Sequence, residues 1–159
     1  GSGAPLARVI DRFLVRRLPA QAVAALAADA TTALPARGLS RRQPRLDALA
    51  SGAWTCLLSL PGDWGSRYAA VSGDANPVHT TAWGARLFGQ PRAFAQGLSL
   101  RNAVAARLAR HGEPLDWLQM TFASPGWLNQ TLRLTVVDHR FELVGERGEL
   151  VAYGRTGGL

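Results

Sequence analysis

What the chain lacks narrows its class first. It has no lysine: all 18 of its basic residues are arginine, set against 11 acidic residues for a formal charge of +7. It has one cysteine, Cys56, which excludes an internal disulfide and a cysteine-rich metal site. No apolar run approaches the roughly 20 residues that a bilayer-spanning helix needs, so no membrane span is expected. No secretory h-region opens the sequence, which points to a reducing, cytoplasmic setting. The three histidines and the carboxylates show no metal-ligand spacing, and no internal repeat is visible.

What is present describes one domain. At 159 residues a second complete core would be cramped, and a hydrophobic share of 47% supplies ample material for one. Disorder over the whole chain is excluded on the same ground. The opening Gly1-Ser2-Gly3 reads as an expression scar and carries no fold information. The arginines are scattered among alanine and leucine, and the five tryptophans do not alternate with them, so nucleic-acid binding is not expected. The arginine-only usage fits a G+C-rich coding sequence. The positive balance better suits an acidic partner such as the phosphates of coenzyme A or the surface of an acyl carrier protein.

Along the chain, residues 4–18 carry Leu6, Val9, Ile10, Phe13 and Leu14 at helical spacing, with Arg8, Arg12 and Arg16 four apart on another face. This predicts a helix stopped by Pro19, either a surface helix with a solvated face or a docking helix. Residues 20–30 are alanine-rich and predict a second helix. Between Ala33 and Gly52 the pattern weakens, and Arg37, Arg41, Arg42 and Arg45 cluster there. We read an irregular arm with a short helix near Leu46–Ala50, so residues 4–52 form a helical and irregular N-terminal arm. The organised domain spans residues 53–159.

Within it, residues 53–60 predict a strand ended by Pro61-Gly62, and Asp63 is placed to cap a short helix through Val71. Ser72–His79 reads as a loop turned by Asn76-Pro77, and Thr80 or Thr81 can cap a helix to about Phe88. Gly97–Arg110 is the strongest helix, apolar around most of its circumference and therefore expected to be buried. The period then changes to two: Leu118–Ala123, Thr131–Val136, Arg140–Leu143 and Leu150–Tyr153 predict strands. One buried helix followed by antiparallel strands implies an α+β fold.

The densest chemical signal is Tyr68-Ala-Ala-Val-Ser72-Gly73-Asp74-Ala-Asn76-Pro77-Val-His79. A carboxylate and an imidazole on one rigid loop can share a water molecule, one taking its proton while the other delivers one. Alone, that spacing also fits a turn-forming Asp74 and a hydrogen-bonded structural His79. Ser72 and Ser99 lack a paired base, which argues against a serine hydrolase. Cys56 reads as a small buried hydrophobe.

The same run resembles the hydratase signature of the MaoC-like dehydratases. The likeness continues through Ala85-Arg86-Leu87-Phe88-Gly89, Pro91-Arg92-Ala93 and Ala95-Gln96-Gly97-Leu98, and more weakly through Phe122-Ala-Ser-Pro125. It covers roughly residues 53–155. The resemblance implies a hot-dog fold, an antiparallel sheet wrapped around the long helix, and a homodimer whose acyl tunnel lies between two such folds. It also implies reversible hydration of trans-2-enoyl thioesters to (R)-3-hydroxyacyl thioesters, on coenzyme A or an acyl carrier protein, with no cofactor.

Asp74 and His79 would be the acid–base pair, and the Gly97 N–H would polarise the thioester carbonyl from the start of the buried helix. Ser72, Asn76, Gln96 and Leu98 would contact or shape the substrate site, Asn76 by bracing the loop. At Gln96 the family commonly has histidine; glutamine still hydrogen-bonds but does not titrate near neutral pH. Trp83 and Trp127 are expected in the core, with narrowing of the tunnel as their alternative. The alternative for the whole chain is a non-catalytic hot-dog module that binds an acyl carrier or scaffolds a synthase.

Overall fold

The period-two pattern around Thr131–Val136 forms a strand next to one edge of the sheet. The computed structural model describes residues 8–12 and 45–158. Among the described residues there are six strands: β1 (Arg8–Arg12), β2 (Trp54–Leu60), β3 (Trp117–Phe122), β4 (Gln130–Val137), β5 (Arg140–Val144) and β6 (Leu150–Gly157). They form one sheet in the order β1-β3-β6-β5-β4-β2. The β3-β6-β5-β4-β2 pairs are antiparallel, and β1 joins β3 in parallel.

The register explains why the apolar alternation matters. Leu134 lies opposite Leu143, which lies opposite Ala152, while Val136, Phe141, Gly154 and Met120 are cross-strand partners in turn. These residues share a face, because side chains alternate across a strand. All of them but Gly154, with Leu58, Leu60 and Leu132, are buried in a single core cluster.

Four helices pack on the chain between β2 and β3: α1 (Trp64–Ser72), α2 (Pro77–Thr80), α3 (Ala82–Leu87) and α4 (Gly97–Arg110). Helix α4 has the bounds expected from the sequence. Leu100, Val104 and Leu108, four residues apart, enter the sheet core. Its burial is narrower than its composition suggests: Leu98, Asn102 and Ala106 face outward, because one sheet covers one side of a helix.

Several expectations are corrected. The described part of the expected helix over residues 4–18 is the strand β1, paired with the outer edge of β3. Pairing with a strand distant in sequence overrides the helical spacing. Leu46–Ala50 is a turn, not a helix, with the Leu49 and Ala50 N–H groups donating to Asp47. Asp63 stands at the N-cap of α1 without a side-chain cap bond. Trp83 is not a core residue but 73% exposed on α3. The expected helix over 20–30 and the Arg37, Arg41 and Arg42 cluster lie outside the described residues; Arg45 donates to the Gly148 carbonyl at 3.1 Å.

The far end of α4 is anchored by a polar knot. The Glu113 carboxylate accepts from Trp54 Nε1 at 2.8 Å and from His139 Nδ1 at 2.7 Å, while the Trp54 ring stacks on His111 at 3.9 Å. Burial pushes the Glu113 carboxyl up. The Trp54 and His139 hydrogen bonds and the nearby His139 and His111 charges outweigh this and hold it below the usual glutamate range. A carboxylate depressed in this way stabilises the fold above its ordinary titration range and loses that contribution as the pH falls through its lowered value. Glu113→Gln is therefore expected to lower stability at neutral pH by on the order of 1–2 kcal/mol. It should also flatten the acid limb of a Tm-against-pH curve. An unchanged acid limb would remove this role.

Candidate active site

Two loops and the start of α4 enclose the site. Helix α1 ends at Gly73 in the left-handed conformation, and residues 73–76 form an open turn. Asn76 caps α2: its Oδ1 accepts from the Val78 N–H at 3.1 Å, and Pro77 fills the first helical position where no N–H is needed. Thr81 caps α3 by accepting from Gly84 N–H at 3.0 Å. The expected loop over Ser72–His79 is thus shorter, because Pro77 starts a helical turn that carries His79.

His79 is half-buried and fixed through its ring. Its Nδ1 lies 2.9 Å from the Phe94 carbonyl, and the Phe94 ring meets the imidazole edge-on at 4.7 Å. A carbonyl oxygen only accepts, so Nδ1 carries the proton and the Nε2 lone pair of the neutral ring is left free.

A cavity of about 740 Å³ opens beside this ring, lined chiefly by Phe94, Leu100, Phe122, Pro125 and Trp127, with His79 and Gly97 in its wall. Its walls are held together by short antiparallel pairing. Ala95 N–H donates to the Gly126 carbonyl, Leu128 N–H donates to the Ala93 carbonyl, and Phe94 bridges Trp127. The Phe94 and Trp127 rings meet edge-on, and the Arg92 guanidinium lies 5.4 Å over the indole.

Gly97 begins α4, and Gln96 at the N-cap makes no side-chain cap bond, so its amide leaves the first-turn N–H groups unclaimed. Those groups carry the positive end of the helix dipole, suited to charge developing on an oxygen in the cavity.

The other residues singled out from the sequence fall into distinct places. Asp74 is exposed on the turn; its carboxylate accepts from Asn76 N–H at 3.4 Å and is not part of the cavity wall. Ser72 donates to the Tyr68 carbonyl and accepts from Asp74 N–H, so it shapes the turn. Gln96 is buried at 3% exposure behind the wall, and Leu98 is 43% exposed on the outer side of α4. Of the seven residues, only His79 and Gly97 line the cavity. Trp127 lines it too, whereas Trp83 does not.

Sequence reasoning missed three parts. The Phe94 carbonyl sets the tautomer of His79. Gly65 and Gly84 let the short helices close up: a methyl group on Gly65 would overlap the His79 carbonyl, and one on Gly84 the Pro77 carbonyl. Only the two glycines inside predicted helices, where alanine is ordinarily better, were a signal for this. Among the described residues no cluster of histidine, cysteine or carboxylate could hold a metal ion, and no helix is long and apolar enough to cross a membrane. Burial pushes the Cys56 thiol up, against a smaller pull from Arg107, which disfavours the thiolate.

Residues 63–154 match the family model described as the MaoC like domain. The chain belongs to that family. Similarity to individual proteins agrees. The 3-hydroxyacyl-thioester dehydratase X of Mycobacterium tuberculosis is 39% identical over 72 residues, which are 45% of this chain and 26% of that protein. The crystal structure of HtdX from the same organism superposes with a TM-score of 0.59 at 31% identity, covering 65% of this chain and 47% of that one. The unliganded R-hydratase PhaJ1 of Pseudomonas aeruginosa gives a TM-score of 0.54 at 21% identity, covering 67% of this chain and 81% of that one, a likeness of fold. This MaoC-like domain has the hot-dog fold, its antiparallel strands set around α4. The chain matches about a quarter of the length of the curated relative and about half of HtdX.

Proposed function

We propose that this MaoC-like domain adds water reversibly to trans-2-enoyl thioesters to give (R)-3-hydroxyacyl thioesters carried by coenzyme A or an acyl carrier protein. The observation that carries the reading is the free Nε2 of His79, beside an apolar cavity that the N-terminus of α4 also lines. In the forward direction the water oxygen bonds to carbon 3, its proton passes to one member of the Asp74/His79 pair, and carbon 2 receives a proton. The net change is one OH and one H added across the double bond. As the double bond opens, charge moves onto the thioester oxygen, where the Gly97 N–H would meet it. One such donor is typically worth about 3 kcal/mol of barrier.

The aromatic and aliphatic walls suit an acyl chain. Asp74 lies on the exposed turn, and its main-chain carbonyl accepts from Gln96 Nε2 at 3.4 Å. A homodimer is the proposed assembly.

The stereochemistry of the product tests the reaction. Crotonyl groups on coenzyme A and on a carrier protein are offered in parallel, and the product is resolved on a chiral column. The reading requires (R)-3-hydroxybutyryl thioester from at least one carrier. The (S) product would contradict the reading, as would tight binding without turnover, the behaviour of a non-catalytic module.

A further inference from the structure

We propose that Gln96 is a positioning residue that holds the turn bearing Asp74 against α1 and the start of α4 through one buried amide. This rests on the Asp74/His79 reading and goes beyond it, because Gln96 does not line the cavity and so shapes the reaction without touching substrate. Its side-chain Nε2 donates to the Gly65 carbonyl at 3.2 Å and to the Asp74 carbonyl at 3.4 Å. The first bond reaches α1 where that helix lies against the His79 carbonyl with no room for a methyl group. The second reaches the turn that carries the Asp74 carboxylate. The next residue in the chain is Gly97.

Three features make the amide a fixed point and not a passive filler. Both Nε2 contacts are to carbonyls, so a flipped amide would set Oε1 against two acceptors; the orientation is determined. The backbone of Gln96 is pinned independently, since its carbonyl accepts from Ser99 Oγ at 2.7 Å, and Ser99 Oγ in turn accepts from Trp64 Nε1 at 2.8 Å. Finally, Oε1 is buried without a hydrogen-bond partner. Leucine at this position would lose the donors and the orphan together, so the two effects on stability oppose each other.

The test is kinetic, with crotonyl-coenzyme A as the probe. Gln96→Leu is expected to lower kcat roughly 100-fold, the scale of an ångström-sized misplacement. KM should move by less than about threefold and Tm by only a few degrees, since substrate contacts and core remain. Gln96→His keeps a ring N–H donor and is expected to recover kcat to within about tenfold of wild type. If Gln96 acts through Asp74, adding Gln96→Leu to Asp74→Asn costs less than about threefold further, a strong departure from additivity. An equal loss in both backgrounds overturns the proposal, as does a change in KM alone or a histidine variant no better than leucine. Should Gln96→Leu fail to fold, Gln96→Met replaces it, being close in length and without a donor.

Amide hydrogen exchange supplies a readout that needs no turnover. Protection over residues 73–79 should fall in the variant while α4 and the sheet keep theirs; unchanged protection overturns the proposal. An inactive Asp74→Asn beside an unimpaired Gln96→Leu removes only this inference. A fully active Asp74→Asn removes the acid–base reading beneath it.

Discussion

His79→Ala is expected to cut turnover of an enoyl thioester by roughly 10²–10⁴-fold, the usual worth of a positioned acid or base. Alanine also deletes the bond to the Phe94 carbonyl and leaves that acceptor unpaired, so a folding defect of about 1 kcal/mol accompanies it. His79→Asn separates the two effects. An asparagine amide can still donate to the Phe94 carbonyl from the place of Nδ1, but nothing then occupies the position of Nε2. The asparagine variant is expected to melt close to wild type and to be as inactive as alanine. Retention of more than about a tenth of the wild-type rate would mean that the ring contributes structure and not proton transfer.

Gly65→Ala is expected to destabilise the fold, although alanine normally improves a helix by about 1 kcal/mol over glycine. The reversal follows from the position. The new methyl would overlap the His79 carbonyl, a main-chain atom that cannot rotate aside. Helices α1 and α2 must move apart, an overpacking cost of about 1–3 kcal/mol. In a chain of this size that lowers Tm by several degrees, at roughly 2–4 °C per kcal/mol. Because the obstructing atom belongs to His79, kcat should fall more than Tm alone would suggest, while Ala→Gly changes elsewhere in α1 should not affect rate. A raised Tm in Gly65→Ala would show that the helices are less tightly joined than this packing indicates.

Much of this arrangement was readable from residues alone. Gly97–Arg110 announced itself by length, apolar content and the Gly112 and Pro114 that follow, and the strands after it by their alternation. These signals are local and physical: one period per element and a break between elements. The signature around Asp74 and His79 marked a segment whose last residue, His79, lies in the cavity wall. Positions set by tertiary contact were hidden. Val9 and Ile10 share a helical spacing with their neighbours yet lie in a strand, because the edge of β3 is distant in sequence. Trp83 reads as core by composition, but α3 turns it outward. Leu98 follows Gly97 directly and still points away from the cavity, since successive helical residues diverge by about 100°. In the sequence Gln96 stands among the residues that contact or shape the substrate site. Only the fold reveals that its donors turn inward to two main-chain carbonyls.

The central claim is that Asp74 and His79 act together on water, and the turn that carries Asp74 lies outside the cavity wall. The most direct measurement is therefore hydration of crotonyl-coenzyme A, followed by loss of enoyl-thioester absorbance, with the wild type and Asp74→Asn assayed side by side at matched folding. Asparagine keeps the shape and an acceptor oxygen for the Asn76 N–H, but it cannot carry the proton. The account predicts turnover by the wild type and a loss of several orders of magnitude in the variant. Equal turnover by the two proteins would contradict it.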